Sequence, residues 1–168
     1  MKRGRGWVLK DGRLFTLEAF LIDGPMTKAF AKKNKVVSRT IQMFGDQTLE
    51  NLHDAIFDAF DREDAHMYEF QVSGKGPRDP KARRYVLPMA MEDLFGDKAA
   101  GMVTQTTLGS LGLKVNDAFG YWFDFGDDWW HQINVVAIEK KGGRGKYPKI
   151  IQRLGESPPQ YVDGDEEE

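Results

Sequence analysis

The segment from Phe119 to Val136, FGYWFDFGDDWWHQINVV, constrains the fold more than any other part of the chain. Its first thirteen residues place aromatic side chains, three aspartates and one histidine around a single Gly-Asp step. Aromatic residues favour strands, and a Gly-Asp step between two such runs favours a tight turn. The segment therefore predicts a β-hairpin with a charged tip and an aromatic body.

The type of turn in this hairpin decides which side chains share a face. A two-residue turn at Gly126-Asp127, the interpretation we favour, places Asp124 and His131 on one face with roughly 7–8 Å between their Cα atoms. A three-residue Gly-Asp-Asp loop would instead oppose Phe123 with His131. Because side chains alternate along a strand, that shift would turn Asp124 and His131 to opposite faces.

The rest of the chain is predicted to form short strands and one clear helix. Residues 49–60 are apolar at helical spacing, and Thr48 or Asp46 before them is a good helix N-cap. The apolar face of this helix consists of Leu49, Leu52, His53, Ile56, Phe57 and Phe60. Strands are predicted at residues 14–23, 36–44, 67–73, 85–87, 103–108 and 147–154. Most connections are too short for parallel crossovers, which predicts an α+β fold: a mainly antiparallel sheet with one principal amphipathic helix packed on a face.

Composition limits the classes of protein that fit. The chain has 168 residues and no cysteine, which excludes a disulfide scaffold, a thiolate metal site and a cysteine nucleophile. We expect a loose lead at residues 1–13, a single domain at 14–161 and a disordered acidic tail at 162–168. No apolar run is long enough to span a membrane, so we expect a soluble, cytoplasmic protein that does not contact membranes.

The hairpin residues also carry a family resemblance. Residues 121–133, YWFDFGDDWWHQI, resemble the signature of the plasmid Ri open-reading-frame-three-like proteins. Supporting segments follow in the same order as in that family, at residues 38–41, 45–56, 66–70, 147–148 and 155–159. The resemblance covers roughly residues 14–161 and implies a small α+β domain. Two departures are Tyr68, where the family often has a second histidine, and the closing segment, which often carries cysteines.

Members of this family often carry the label of an insertion-element or transposon passenger that is TnpR-like, meaning similar to a resolvase. A recombinase needs a nucleophilic serine or tyrosine amid several arginines, together with a module that reads DNA. No helix-turn-helix pattern is present, and the formal net charge is −2. The resolvase chemistry is therefore not supported by these residues.

Four side chains are the candidate catalytic and metal-binding residues. The three histidines of the chain, His53, His66 and His131, all fall in segments that resemble the family motifs, and Asp124 lies near them in the hairpin. Neutral imidazoles and a carboxylate suit an acid–base site or a divalent metal, although no cofactor is required. The structural alternative, which we weigh more heavily, is that each histidine is a buried, hydrogen-bonded residue.

A second set of residues is a candidate contact surface. Tryptophans and a carboxylate of the hairpin could stack on a base or a peptide, and a basic, glycine-rich loop at residues 140–146 could contact a nucleic-acid backbone. These candidate binding residues are Trp122, Asp128, Trp129, Trp130, Lys140, Lys141, Arg144 and Lys146. The structural alternatives are core packing for the aromatics and a solvated loop for the basic residues.

Three functions follow from these residues. The first, which we rank highest, is a non-enzymatic binding or accessory module with a nucleic-acid or protein partner, associated with mobile elements. The second is a metal-assisted hydrolase or nuclease that uses the three histidines and Asp124. The third is a binder of small molecules or peptides with an aromatic pocket beside the sheet. Whether the histidines converge distinguishes the second function from the others.

Overall fold

The computed structural model describes residues 10–73, 75–91 and 98–162. Most of the predicted loose lead and of the predicted acidic tail therefore lies outside the described residues. The helices are α1 (Lys28–Lys33) and α2 (Leu49–Ala59), with short 3-10 turns at Pro88–Ala90 and Leu108–Leu111. The strands are β1 (Leu14–Asp23), β2 (Ser38–Phe44), β3 (Tyr68–Val72), β4 (Arg83–Val86), β5 (Gly101–Met102), β6 (Ala118–Phe123), β7 (Trp129–Glu139) and β8 (Lys149–Leu154).

The eight strands form one sheet in the order β5-β4-β3-β6-β7-β1-β2-β8. Every neighbouring pair is antiparallel except β4 and β5. The predicted α+β fold with a mainly antiparallel sheet is confirmed. Within the part of the chain that the structure describes, no helix is long and apolar enough to span a membrane.

Helix α2 begins where the sequence predicts. The hydroxyl of Thr48 accepts a hydrogen bond from the amide of Asn51, and the side chain of Asn51 accepts one from the amide of Thr48, which forms a capping box. The face of α2 that carries Leu52, His53 and Ile56 is buried in the apolar core. The core between α2 and the sheet fixes which face of each strand is inside.

Two predicted elements differ from the observed ones. Residues 103–108 are not a strand, because β5 ends at Met102 and the chain turns there. The carbonyl of Met102 accepts hydrogen bonds from both the amide of Gln105 and the hydroxyl of Thr106. The described end of the lead is also ordered: Asp11 pairs with Arg13, and its carbonyl accepts a hydrogen bond from the amide of Asp46.

The second face of the sheet, which we call the outer face, carries both polar and apolar side chains, and no helix of the described residues covers it. Strand pairing places Glu18 opposite both Thr40 and Asn134, so these three side chains lie side by side on it. The loop before β4 crosses one part of this face and packs directly on Gly120. A Cβ atom there would lie 2.8 Å from the Cα atom of Pro77, so a larger residue would not fit. The rest of the outer face remains open as a shallow surface.

Candidate functional site

The hairpin turn differs from both predicted turns. Strands β6 and β7 pair Tyr121 with His131 and Phe123 with Trp129, which leaves a five-residue loop between them. The two-residue turn at Gly126-Asp127 and the three-residue alternative are therefore both wrong. Either turn would have paired His131 with a residue other than Tyr121.

Aspartate side-chain bonding explains this loop. Oδ1 of Asp124 accepts hydrogen bonds from the amides of Gly126 and Asp127 at 3.0 and 3.1 Å. The carbonyl of Asp124 accepts a further bond from the amide of Asp128 at 2.7 Å. Asp124 and Asp128 both adopt positive φ angles, of 64° and 58°, which aspartate tolerates better than most residues. Asp124 therefore stabilises the loop through its hydrogen bonds. The pairing of β6 with β7 places it one residue beyond the end of β6.

This register buries one candidate binding residue. Trp129 faces the core with its side chain fully buried, so it cannot contact a ligand as the sequence analysis proposed. Trp122 and Trp130 are paired across the strands on the outer face and are only partly buried. The aromatic residues of the hairpin therefore divide between a core set and an outer pair.

His53 is held inside the core by two tyrosines. The hydroxyl of Tyr121 donates a hydrogen bond to Nδ1 of His53 at 2.6 Å, and the ring of Tyr68 stacks on the imidazole with 3.7 Å between ring centroids. Burial lowers the pKa of His53 to about 4, and the nearby charge of Arg62 acts in the same direction. His53 is therefore neutral at pH 7 and serves as an acceptor.

His131 is fully buried and is also neutral. Its Nδ1 lies 3.2 Å from the carbonyl of Tyr121, and its Nε2 lies 3.3 Å from the guanidinium of Arg62. These partners assign the proton to Nδ1, which donates to the carbonyl, and leave Nε2 to accept from Arg62. Burial, followed by the charge of Arg62, holds the pKa of His131 well below its usual value.

Arg62 lies at the centre of this buried cluster, and it was not among the candidate residues predicted from the sequence. Its guanidinium lies over the rings of Trp129, Phe123 and Phe60 at 4.6, 4.9 and 5.6 Å from their centroids. Burial lowers the pKa of Arg62 to about 10, and its Nε has no hydrogen-bond partner among residues 10–73, 75–91 and 98–162. The sequence gives no signal for this, because Asp61-Arg62-Glu63-Asp64 has the composition of a solvated loop.

His66 lies at the edge of the same region and contacts two groups through one nitrogen. Its Nε2 is 3.4 Å from Oδ2 of Asp124 and 2.8 Å from the hydroxyl of Tyr161. A relay of the serine-protease type requires the carboxylate and the nucleophile on opposite ring nitrogens. The arrangement of Asp124, His66 and Tyr161 is therefore not a catalytic triad.

The four candidate catalytic residues are divided in this structure. His53 and His131 are bound to Tyr121 inside the core, whereas His66 and Asp124 form a pair at its edge. Among the described residues, no group of three or more histidine, aspartate or glutamate side chains is arranged to hold a metal ion. The proposed His/Asp metal centre has no support in this geometry, and its most buried members are closed to solvent.

The outer tryptophan pair is already covered on both sides. Trp122 and Trp130 stack with 4.8 Å between ring centroids and an interplanar angle of 6°. Phe125 covers the other face of Trp122 at 4.1 Å, and the guanidinium of Arg78 covers the other face of Trp130 at 4.8 Å. Asp128 accepts a hydrogen bond from Nε1 of Trp122 at 2.8 Å. Trp122, Trp130 and Asp128 are therefore in contact with other side chains, and Phe125 and Arg78 cover the two outward indole faces in the described part of the chain.

Three adjoining concavities form a trough across the outer face. Their volumes are about 420, 400 and 310 Å³, which lies within the range of roughly 300–1,000 Å³ that ligand pockets occupy. The first and second share Asn116 and Ala118, and the second and third share Gln132 and Asn134. We call this continuous feature the outer trough. None of its lining residues was among the candidate binding residues.

The basic loop is exposed and anchored. Lys140, Lys141, Arg144 and Lys146 are all exposed, and none of them forms an ion pair within the described part of the chain. Gly142 donates its amide to the carbonyl of Gly12 at 3.0 Å, and a Cβ atom on Gly142 would lie 2.2 Å from the ring of Phe44.

The other end of this loop is fixed as well. The ring of Tyr147 packs edge-on against Phe44 with 4.6 Å between centroids, and Gln47 donates a hydrogen bond to the carbonyl of Tyr147 at 2.6 Å. The basic loop follows Glu139, the last residue of β7. The tryptophan pair lies at the other end of that strand, where Trp130 pairs with Trp122 of β6. Ten residues at roughly 3.3 Å each separate them by about 30 Å, so they do not form one contact surface.

Residues 29–167 match the family model described as plasmid pRiA4b ORF-3-like protein. The chain belongs to the plasmid pRiA4b ORF-3-like family. This confirms the resemblance that the hairpin signature and its supporting segments indicate.

The chain is also similar to one curated protein and to one solved structure. The uncharacterized protein y4hQ of Sinorhizobium fredii (strain NBRC 101917 / NGR234) is 29% identical over 128 residues, which cover 69% of this pRiA4b ORF-3-like chain and 54% of that protein. The chain thus spans about half the length of this relative. The crystal structure of MM3350, a protein of unknown function from Methanosarcina mazei Go1, matches with a TM-score of 0.64 at 20% identity. The match covers 84% of this chain and 69% of MM3350, and at this identity it shows a shared fold.

Proposed function

We propose that this pRiA4b ORF-3-like chain is a non-enzymatic binding module whose ligand lies in the outer trough. The observation that carries this proposal is the contrast between the two faces of the sheet. On the inner face, His53 and His131 are buried in the core and are neutral at pH 7, whereas His66 and Asp124 form a pair at its edge. The outer face, by contrast, offers accessible hydrogen-bonding groups above a surface without a covering helix.

The lining of the trough suits binding rather than reaction. Gln132 donates a hydrogen bond to Asn134 at 2.9 Å, and the remaining polar atoms of these amides are available to a ligand. Glu18 accepts a hydrogen bond from the hydroxyl of Ser38 at 2.8 Å. No histidine or tyrosine lines the trough, so it lacks the usual general acids and bases apart from carboxylates.

A substitution that blocks the trough tests this proposal. Replacing Gln132 with arginine fills the centre of the trough, and we expect it to remove a ligand that wild-type protein retains from a native extract of the encoding organism. The matched control is Gln152→Arg, the same substitution on exposed β8 outside the trough. Captured protein, nucleic acid and glycan are each quantified. Equal capture by both variants, with unchanged circular dichroism, would contradict the proposal.

A second candidate function rests on the basic loop. Exposed cations without ion pairs, on a loop fixed at both ends, are suited to phosphate groups of a nucleic acid. In this function the protein is an accessory module that contacts nucleic acid through Lys140, Lys141, Arg144 and Lys146. The expected association with mobile elements is proposed as part of this second function.

Salt dependence tests the nucleic-acid candidate. If about three phosphates are contacted, the logarithm of the affinity for a labelled single-stranded oligonucleotide should fall with the logarithm of salt concentration at a slope of about −2. The double variant Lys141→Glu with Arg144→Glu should bind at least about tenfold more weakly and with a shallower slope. Lys28→Glu with Lys32→Glu, on exposed α1, is the control. Absence of binding at low salt, or equal loss in both double variants, would exclude this function.

A further inference from the structure

We infer that the ligand of the outer trough is an extended polypeptide segment of about six residues that carries branched aliphatic side chains. This inference rests on the proposed function, because it names the ligand of the same site. It is drawn from the length, the direction, the charge and the lining of the trough.

The length of the trough fits a short extended chain. Its lining residues run from Ser73 and Lys75, after β3, to Lys35 and Val36, before β2. Strands β3, β6, β7, β1 and β2 are consecutive neighbours in the sheet, so four spacings of about 4.8 Å give roughly 19 Å. An extended polypeptide advances about 3.3 Å per residue, and about six residues therefore span this distance.

The direction of the trough explains its amide side chains. It crosses the strands instead of following a sheet edge, so a ligand inside it cannot form main-chain ladder bonds with the sheet. Its main-chain groups must then bond to side chains, and an amide side chain supplies a donor and an acceptor together. Asn116, Gln132 and Asn134 place three such side chains along the middle of the trough.

The charge of the trough argues against a polyanion. Its charged lining residues are two lysines, Lys35 and Lys75, and two carboxylates, Asp117 and Glu18. Their formal charges cancel, whereas a phosphate backbone requires a surplus of cations. A ligand with little net charge, such as a peptide main chain, matches this balance.

The apolar residues that line the trough favour a peptide ligand over a sugar or a nucleic-acid base. Ile22, Val36 and Val136 line the trough and are 45%, 47% and 48% exposed, so three branched aliphatic side chains reach solvent along it. Bases are bound by stacking on open aromatic faces, and the two outer indoles are covered by Phe125 and Arg78. Branched aliphatic side chains instead favour aliphatic side chains of a partner protein, since burying both removes apolar surface from water.

A selection experiment tests this inference. A display library of random dodecapeptides is selected on the full chain, and one enriched peptide is synthesised for affinity measurement. We expect the enriched sequences to contain valine, isoleucine or leucine within an extended run, and Val136→Arg to weaken binding at least about tenfold, or about 1.4 kcal/mol. Ile151→Arg, at a residue on β8 with nearly equal exposure, is the matched control and should bind like wild type. Gln132→Arg and Gln152→Arg form a second pair with the same expectation.

The possible outcomes separate this inference from the proposed function. Enrichment that depends on Val136 and Gln132 supports a peptide ligand. No enrichment above a selection without protein, or enriched peptides that bind the blocked variants equally, overturns it. Cellohexaose and oligo-dT are titrated in parallel. If one of these, and no peptide, binds in a manner that Gln132→Arg abolishes, the peptide inference fails while the binding module at the outer trough stands.

Discussion

Lowering the pH from about 7 to about 4.5 is expected to reduce the free energy of unfolding by about 2–3 kcal/mol through His53 alone. The unfolded chain protonates this histidine below pH 6.5, whereas in the folded chain its pKa is about 4. The stability is therefore fully present above pH 6.5 and is lost as the pH falls toward the folded value. His131 adds a loss in the same direction, because burial lowers its pKa as well.

Urea unfolding at a series of pH values measures this loss. His53→Gln keeps an acceptor for the hydroxyl of Tyr121, and His131→Gln keeps both an acceptor for Arg62 and a donor for a carbonyl. The double variant should be nearly independent of pH between about 6.5 and 5, where few carboxyl groups titrate. Equal pH dependence in wild type and the double variant would refute the explanation.

Replacing Arg39 with methionine is expected to cost about 3–5 kcal/mol of folding free energy. Arg39 is 2% exposed, and its guanidinium donates hydrogen bonds to the carbonyls of Ala59, Ser38 and Leu154 at 2.7, 2.7 and 2.9 Å. It also donates to the hydroxyl of Ser157 at 2.9 Å and lies over the ring of Phe60. Methionine fills a similar volume but donates no hydrogen bond to these groups, and only the carbonyl of Ala59 is known to keep a side-chain donor, from Arg153.

Arg153→Met is the matched control for this substitution. Arg153 donates to the same carbonyl of Ala59, but its side chain is 46% exposed. We expect its replacement to cost about 1 kcal/mol or less, because water replaces the lost bond. Chemical denaturation of both variants at pH 7 gives the comparison. A similar cost for the two arginines would mean that burial of Arg39 is not what makes it essential.

Local patterns predicted most of the fold because each of them depends on neighbouring residues. The ten residues of β1, the Thr48 cap of α2 and the inward side of β2 all follow from alternation or helical spacing. Arg39 lies on that inward side of β2 and is 2% exposed. Its partners proved to be backbone carbonyls of three separate segments, which no spacing encodes.

The site was harder to predict, since it depends on one residue of register. Gly126-Asp127 is a good two-residue turn by itself, but Asp124 bonds two following amides and thereby draws itself and Asp128 into the loop. That local competition moved Trp129 into the core and Trp122 onto the outer face. The outer trough combines residues from four strands with the segment before β2, and its position follows only from the order of the strands. Arg62 could not be identified because two of its three aromatic neighbours, Phe123 and Trp129, are distant in the chain.

The stacked tryptophans have a spectroscopic consequence. Two indoles held parallel and this close couple their electronic transitions, and only the register that pairs Trp122 with Trp130 brings them together. We therefore expect an exciton contribution to the circular dichroism of the chain that is present only when this hairpin is formed in its native register. The fold thus carries an internal optical probe of its most distinctive segment, independent of any added label.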